Sequence, residues 1–379
     1  MRVWSVLGVL GAVAWDADAY STVVLLRHCP RAPYLTDRHG PPPPNAVFTS
    51  ADNYSALPFP KQDVWGVPEG QCTAAGLQAA AELGAALKSM GLAGDAQRPT
   101  RVIADEVHRC VATAEALGLN TSSPVEVDRP LFDPLSAKLA GCTQPDWDAT
   151  VQKQVDAHRS SLQDAREYLS ALQTVLGQGA APNLDSIPDV VSGGYLVGGL
   201  RVASELVAET LVLEKASSLP VAWGRVSDEK SLMDFVKLRI AYFSAQYGGL
   251  EIAQRYSSGL MARIAEQFAE AKDEVSVLVG HDLNLVALGS ALGLEWQCGP
   301  WPSNGLSPLS GLAFHLKDGI VTAQSVCHTF DKTSISPMAS GAVQFEGGSA
   351  KLSLEDFTAK LTSVILAECV KKTTREIVV

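Results

Sequence analysis

Thr22 to Leu26 is an unbroken apolar, largely β-branched run, the pattern of a strand buried on both faces. Apolar side chains at 77, 80, 83, 87 and 90 then recur at helical spacing from Leu77 to Met90. "RVIAD" follows as a short strand ending at Asp105, and helical spacing resumes from His108 to Leu117. Strand, helix, strand, helix predicts an α/β fold with a mostly parallel sheet flanked by helices. From about Trp147 to about Tyr247 the pattern turns almost wholly helical, over 148–176, 199–213 and 228–247, with no β-rich segment. Another helix is expected over 251–271. "EVSVLVG" restores a buried strand ending at His281-Asp282, Leu283 to Leu292 reads as a helix, and Asp318-Gly319 marks a hairpin turn. The predicted organisation is an α/β domain from 20–140 and 255–379, with an inserted α-helical subdomain at 141–254.

Residues 1–19 have a different character: Arg2, an apolar run of 13 residues, and "ADA" before Tyr20 form a signal-peptide pattern with cleavage expected after Ala19. The run is shorter than the roughly 20 apolar residues of a spanning helix, so no membrane association is expected after cleavage. A secreted protein, periplasmic or extracellular, makes the seven cysteines candidates for disulfides. No C-x-x-C pair occurs and the spacings are irregular, so no metal site is expected. The net charge of −11 argues against nucleic acid as a partner, and an anionic ligand must be gripped by a local basic cluster.

Such clusters stand at the ends of three predicted strands: Arg27-His28 with Arg31, Asp105 with Arg109, and His281-Asp282. Ligands of open parallel sheets bind beyond the carboxyl ends of the strands, and guanidinium groups fork phosphate oxygens in pairs. Both His28 and Cys29 could attack phosphorus. A cysteine phosphatase loop needs an Arg six residues after its Cys and an array of backbone N–H groups. Here Leu35 holds that position, and Pro30 and Pro33 remove two donors. His28, flanked by Arg27 and Arg31, is the better nucleophile, with Asp282 the candidate proton donor for the leaving oxygen.

"RHCPRAP" resembles the R-H-G-x-R-x-P signature of the histidine acid phosphatases, and "GHDLN" resembles their H-D motif. "DEVHRCVATAEALGL" is similar to the segment carrying their third phosphate-binding Arg. "ASELVAETLVLEK", "WGRVSD" and "GLAFHL" extend the resemblance to the branch of bacterial periplasmic phytases and glucose-1-phosphatases, over Thr22 to Cys369. The resemblance implies a phosphoglycerate-mutase-like sheet domain with a helical lid, and a phosphohistidine mechanism needing no cofactor and no metal. It implies His28 as nucleophile, Asp282 as general acid, a clamp of Arg27, Arg31, Arg109 and His281, Glu209 orienting substrate or water, and a Cys142–Cys369 disulfide. The expected partner is a small-molecule phosphate monoester: phytate, a sugar phosphate, or organic phosphates broadly. A monomer is the expected state.

Three departures carry expectations of their own. Cys29 replaces the signature Gly; a free thiol there, beside three arginines, is expected to have a lowered pKa, to oxidise readily and to crowd the phosphate. That crowding underlies an alternative, a catalytically impaired homologue that binds a phosphorylated ligand. Tyr34 and Leu35 stand where the phytases tend to carry Thr and a basic residue, which weakens the case for a densely anionic substrate. Leu283 replaces the Thr of H-D-T-N, a change expected to alter pocket shape. A second "RHG", at Arg38 to Gly40, follows no strand and reads as loop.

Overall fold

The computed structural model describes residues 20–36, 50–95, 98–121, 123–139, 141–143, 146–177, 183–269, 273–327, 344–345 and 348–371. The expected leader at 1–19 and the second "RHG" lie outside them. Seven strands build the main sheet: β1 (Tyr20–Arg27), β2 (Thr100–Ala104), β3 (Glu126–Val127), β6 (Val275–Gly280), β7 (Gly311–Lys317), β8 (Ile320–Val326) and β9 (Lys351–Ser353). Their order is β9-β8-β7-β1-β6-β2-β3. β1, β6, β2 and β3 are parallel neighbours, whereas β7, β8 and β9 continue the sheet antiparallel from the other edge of β1. β1 and β6 are the central pair. Every residue of β6 and all but Tyr20 of β1 are buried, as their continuous apolar runs predict.

Helix α1 (Ala74–Ser89) and α2 (His108–Ala116) pack on one face of the sheet, where Leu83, Leu87 and Cys110 join Val24, Leu26, Val277 and Val279 in one core cluster. The other face meets a larger core. Val23, Leu25, Ile103, Leu278 and Leu312 belong to the same buried cluster as Leu169, Leu200, Leu211, Phe235 and Leu260. The middle helices are α3 (Trp147–Ala157), α4 (Arg159–Leu176), α5 (Glu209–Ala216) and α6 (Glu229–Tyr247), and α7 (Leu250–Ala269) returns to the sheet. This helix runs unbroken through residue 254.

Two details differ from the hydrophobic pattern. The helix expected over 148–176 is two helices that meet at His158. A small antiparallel hairpin, β4 (Val190–Ser192) with β5 (Tyr195–Val197), interrupts the helical region in which no strand was expected. Three-residue strands joined by Gly193-Gly194, both at positive φ, are too short to show a two-residue period. Among the described residues, no helix is long and apolar enough to cross a membrane.

Candidate active site

The carboxyl ends of β1, β2 and β6 meet at one point of the sheet, because register places Arg27 beside Gly280 and Ala104 beside Val279. Each chain then leaves through a polar residue. The His28 N–H donates to the Gly280 carbonyl at 3.0 Å, and the Asp105 N–H donates to the Val279 carbonyl at 3.0 Å. His281 precedes α8 (Asp282–Leu292); its N–H donates to Asn284 Oδ1 at 2.9 Å, and Asn284 Nδ2 donates to the Phe132 carbonyl at 2.7 Å. Gly280 is required here: a Cβ on it would lie 2.6 Å from Asn284 Oδ1 and 2.7 Å from the Phe132 ring.

All the residues expected to form the phosphate site converge at these strand ends. His28 is 2 % exposed, and its Nδ1 lies 2.9 Å from the Cys29 carbonyl oxygen. A carbonyl only accepts, so Nδ1 carries the proton and Nε2 keeps its lone pair. Burial, then Arg109, Arg27, His281 and Arg31, hold His28 well below the ordinary histidine range, which favours the neutral ring. The His28 and His281 rings stand edge to face, 5.5 Å apart.

Burial also leads in lowering the His281 pKa below the ordinary histidine value, against the hydrogen bond to Asp105, which raises it. Its Nε2 donates to Asp105 Oδ2 at 2.6 Å, so Nδ1 is free to accept from Arg109 Nη2 at 3.3 Å. Both ring nitrogens are thus engaged by protein, and His281 orients the Arg109 guanidinium. The other Arg109 nitrogen, Nη1, donates to the Tyr34 hydroxyl at 3.1 Å. The Arg31 guanidinium lies 4.7 Å above the Tyr34 ring.

Two carboxylates complete the cluster. Glu209 Oε1 takes Arg27 at 2.5 Å and Arg31 at 3.3 Å, while Oε2 takes Arg239 at 3.1 Å. Asp282 Oδ2 takes Arg239 at 2.7 Å and Arg27 at 3.2 Å. Burial opposes charge on both, but the arginines outweigh it and hold both carboxyls below their usual range, Asp282 farthest. Four guanidinium groups therefore face three carboxylates, counting Asp105, and the cluster retains the positive excess an anion requires.

Arg239 was not anticipated. It sits in the run "FVKLRIAYF" of α6, only 3 % exposed among apolar neighbours, and a fully buried charge in such a helix was its one available signal. Asp105 was noted at its strand end, but its service to His281 becomes visible only once β2 and β6 are paired. Glu209 follows a π-helical segment, Val202–Ala208, a distortion frequent beside functional sites.

The expectation of a free thiol at Cys29 is overturned. It is no free thiol but is bonded to Cys72, with both residues buried. Cys72 reaches it because segment 71–73 pairs with the turn that carries His28 and Arg31: the Ala32 N–H donates to Gln71 O at 2.9 Å and the Thr73 N–H to Pro30 O at 3.1 Å. Sulfur so engaged has no thiolate chemistry. The Cys142–Cys369 bond is present as the resemblance implied, Cys298 pairs with Cys327, and Cys110 is a buried free thiol. Among the described residues, Asp105, Cys110 and His281 are the group whose ligand-type atoms lie close enough to share a metal ion. Asp105 and His281 are already joined by a hydrogen bond, and burial pushes the Cys110 thiol well up.

The sequence matches no protein-family model and no curated protein. Solved structures do match. The phytase from Citrobacter braakii superposes with a TM-score of 0.73 at 23 % identity, over 93 % of this chain and 99 % of that one. The Klebsiella sp. ASR1 phytase gives 0.75 at 18 % identity, over 94 % and 98 %. The Hafnia alvei phytase, solved in complex with myo-inositol hexakis sulphate, gives 0.71 at 21 % identity, over 95 % and 100 %. The chain has the fold of these bacterial phytases.

Proposed function

We propose that this protein is a secreted phosphomonoesterase that works through a phosphohistidine on His28. One observation carries the reading: a buried imidazole whose Nδ1 lies 2.9 Å from the Cys29 carbonyl oxygen, leaving Nε2 as the ring nitrogen with the lone pair, stands near enough to Arg109, Arg27 and Arg31 for their charges to lower its pKa. In the first step Nε2 attacks phosphorus, the bond from phosphorus to the ester oxygen breaks, and Asp282 gives that oxygen its proton. In the second step water attacks phosphorus, Asp282 takes a proton from it, and the N–P bond breaks. The arginines receive the charge that builds on the equatorial oxygens. The likeness to phytases and the signature motifs support the assignment, and the three disulfides suit an oxidising compartment.

Asp282 poses a physical problem. Its salt bridges to Arg27 and Arg239 keep it ionised in the free protein. It can hold a proton only when bound phosphate takes over those arginines, and a monoanionic ester brings that proton with it. The second ionisation of a phosphate ester lies near pH ~6. Turnover is therefore expected to peak below neutral pH and to fall as pH rises above about 6. A profile that climbs steadily through pH 8 contradicts this mechanism.

Phytate is a phytase substrate by name, but the mouth of this site favours esters with a single phosphate. Tyr34 covers Arg31 and engages Arg109, and Leu35 is buried, so that stretch offers no additional cation. The test is hydrolysis of an aryl phosphate, a sugar phosphate and phytate by wild type, His28→Ala and Asp282→Asn. His28→Ala should lose on the order of a thousandfold or more in kcat. Asp282→Asn should lose about a hundredfold with the sugar ester and less with the aryl ester, whose oxygen leaves without help. Full activity in His28→Ala refutes the nucleophile. An inert wild type that Cys29→Gly/Cys72→Ala revives identifies a phosphate-ester binder instead.

A further inference from the structure

Cys29 occupies the position next to the nucleophile, and its carbonyl is the partner that sets the His28 tautomer. The turn around it is poor in backbone donors, since Pro30 and Pro33 have no N–H. Cys29 is nevertheless held on two sides. Its N–H donates to Thr113 Oγ1 at 2.9 Å, and its sulfur is bonded to Cys72. Cys72 in turn sits against α2: its sulfur lies 3.4 Å from the Arg109 carbonyl oxygen, which also accepts from Thr113 Oγ1 at 2.6 Å. The same stretch of chain forms a β-bridge with Arg31. One covalent bond thus joins the turn carrying His28 and Arg31 to the segment seated on the helix of Arg109.

We propose that the Cys29–Cys72 disulfide is a positioning element of the active site. It holds the Cys29 carbonyl on His28 Nδ1, keeps the Nε2 lone pair aimed at phosphorus, and so couples turnover to the oxidation state of this bond. The proposal rests on the reading of His28 as nucleophile. Its chemistry is simple: a dithiol reductant supplies two electrons and two protons, the S–S bond becomes two thiols, and the reductant becomes a disulfide. The arginines have anchors of their own. Arg27 lies in β1, Arg109 lies in α2, and both Arg27 and Arg31 pair with Glu209. Opening the bond therefore affects the orientation of the nucleophile and leaves phosphate affinity largely intact.

The experiment compares wild type, Cys29→Ser/Cys72→Ser and, as a remote-disulfide control, Cys298→Ser/Cys327→Ser. The first pair is expected to lose about 10- to 100-fold in kcat. Its inhibition constant for inorganic phosphate should stay within about threefold of wild type, the span of ordinary context effects on one interaction. The control should lose stability and keep kcat. Nitrogen NMR of the imidazoles supplies a readout independent of activity: His28 should show a single Nδ1–H tautomer in wild type and a mixture in Cys29→Ser/Cys72→Ser.

A folded double variant with wild-type kcat and an unchanged His28 tautomer overturns the proposal. If that variant fails to fold, wild type is reduced stepwise with a dithiol and the opened cysteines are mapped. Loss of kcat must then follow opening of Cys29–Cys72; loss that follows another bond, or full kcat with this one open, overturns it. His28→Ala separates the two ideas. Activity in that variant removes the reading of His28, whereas inactivity there with full kcat in Cys29→Ser/Cys72→Ser removes only the role of the disulfide.

Discussion

Glu209 and Glu214 lie on the same helix and show how far neighbours decide the state of a carboxyl group. Glu209 meets three guanidinium groups and stays ionised. Glu214 is fully buried and accepts only the Ala222 N–H, at 2.8 Å, while its Oε1 has no hydrogen-bond partner among the described residues. Burial raises its pKa to about 7. An acid raised on folding favours its neutral form in the native state. The associated stability is fully present below pH about 4.5, the unfolded value, and is lost as pH rises through about 7. The loss amounts to roughly 3 kcal/mol at most. Glu214→Gln is therefore expected to be more stable than wild type at pH 8, with the gap closing at pH 5, as read by denaturant melts at both. An equal gap at the two pH values sinks the assignment. The same scale shows what the sequence could reveal. His28 and Asp282 stand in recognisable motifs, whereas Arg239 and the bonding of Cys29 depend on residues far away in the chain.

At the scale of elements, α1 is pressed against the turn that carries His28 and Arg31. Thr73 caps it by accepting the Gly76 N–H at 3.0 Å, and a Cβ on Gly76 would lie 2.1 Å from the Pro30 carbonyl oxygen. Backbone cannot yield there without moving the turn that holds His28 and Arg31. Gly76→Ala is expected to destabilise by about 1–3 kcal/mol and to lower kcat as well, although the residue touches no ligand. Thermal unfolding and steady-state kinetics of the variant check both; a variant with wild-type kcat means that the turn does not depend on this packing. The helices and long strands were legible because their apolar periods persist over many residues. The β4–β5 hairpin and the break at His158 were not, since each is settled within three or four residues by what packs against it.

Across the whole molecule, one face of the sheet and the middle helices share a single buried cluster. The α7 helix runs through the boundary expected at residue 254 without a break. A helical segment that completes its core against the sheet should not unfold separately. Far-ultraviolet and near-ultraviolet melts of the intact protein are expected to superimpose, and two resolved transitions would show an independently stable insert. The charge distribution also belongs to this scale. The chain carries −11 overall, yet its strand ends gather Arg27, Arg31, Arg109 and Arg239. Long-range steering therefore does not assist an anionic substrate, and binding relies on short-range guanidinium contacts, which salt screens less because they are buried.

Local order along the chain determined the alternation of strands and helices, the preference for His28 over Cys29 as the proposed nucleophile, and the gathering of arginines at strand ends. These rest on period, on spacing and on the chemistry of adjacent residues, all of which are short-range quantities. The tertiary structure alone decided that Cys29 meets Cys72, that Arg239 braces Glu209 and Asp282, and that His281 passes its orientation to Arg109. Each of these joins parts of the chain brought within bonding distance only by the pairing of β1, β2 and β6 and the packing of helices around them. Cys29 shows the difference most directly. As a letter beside His28 it reads as a reactive liability, and in the folded chain a partner 43 residues away makes it part of the scaffold.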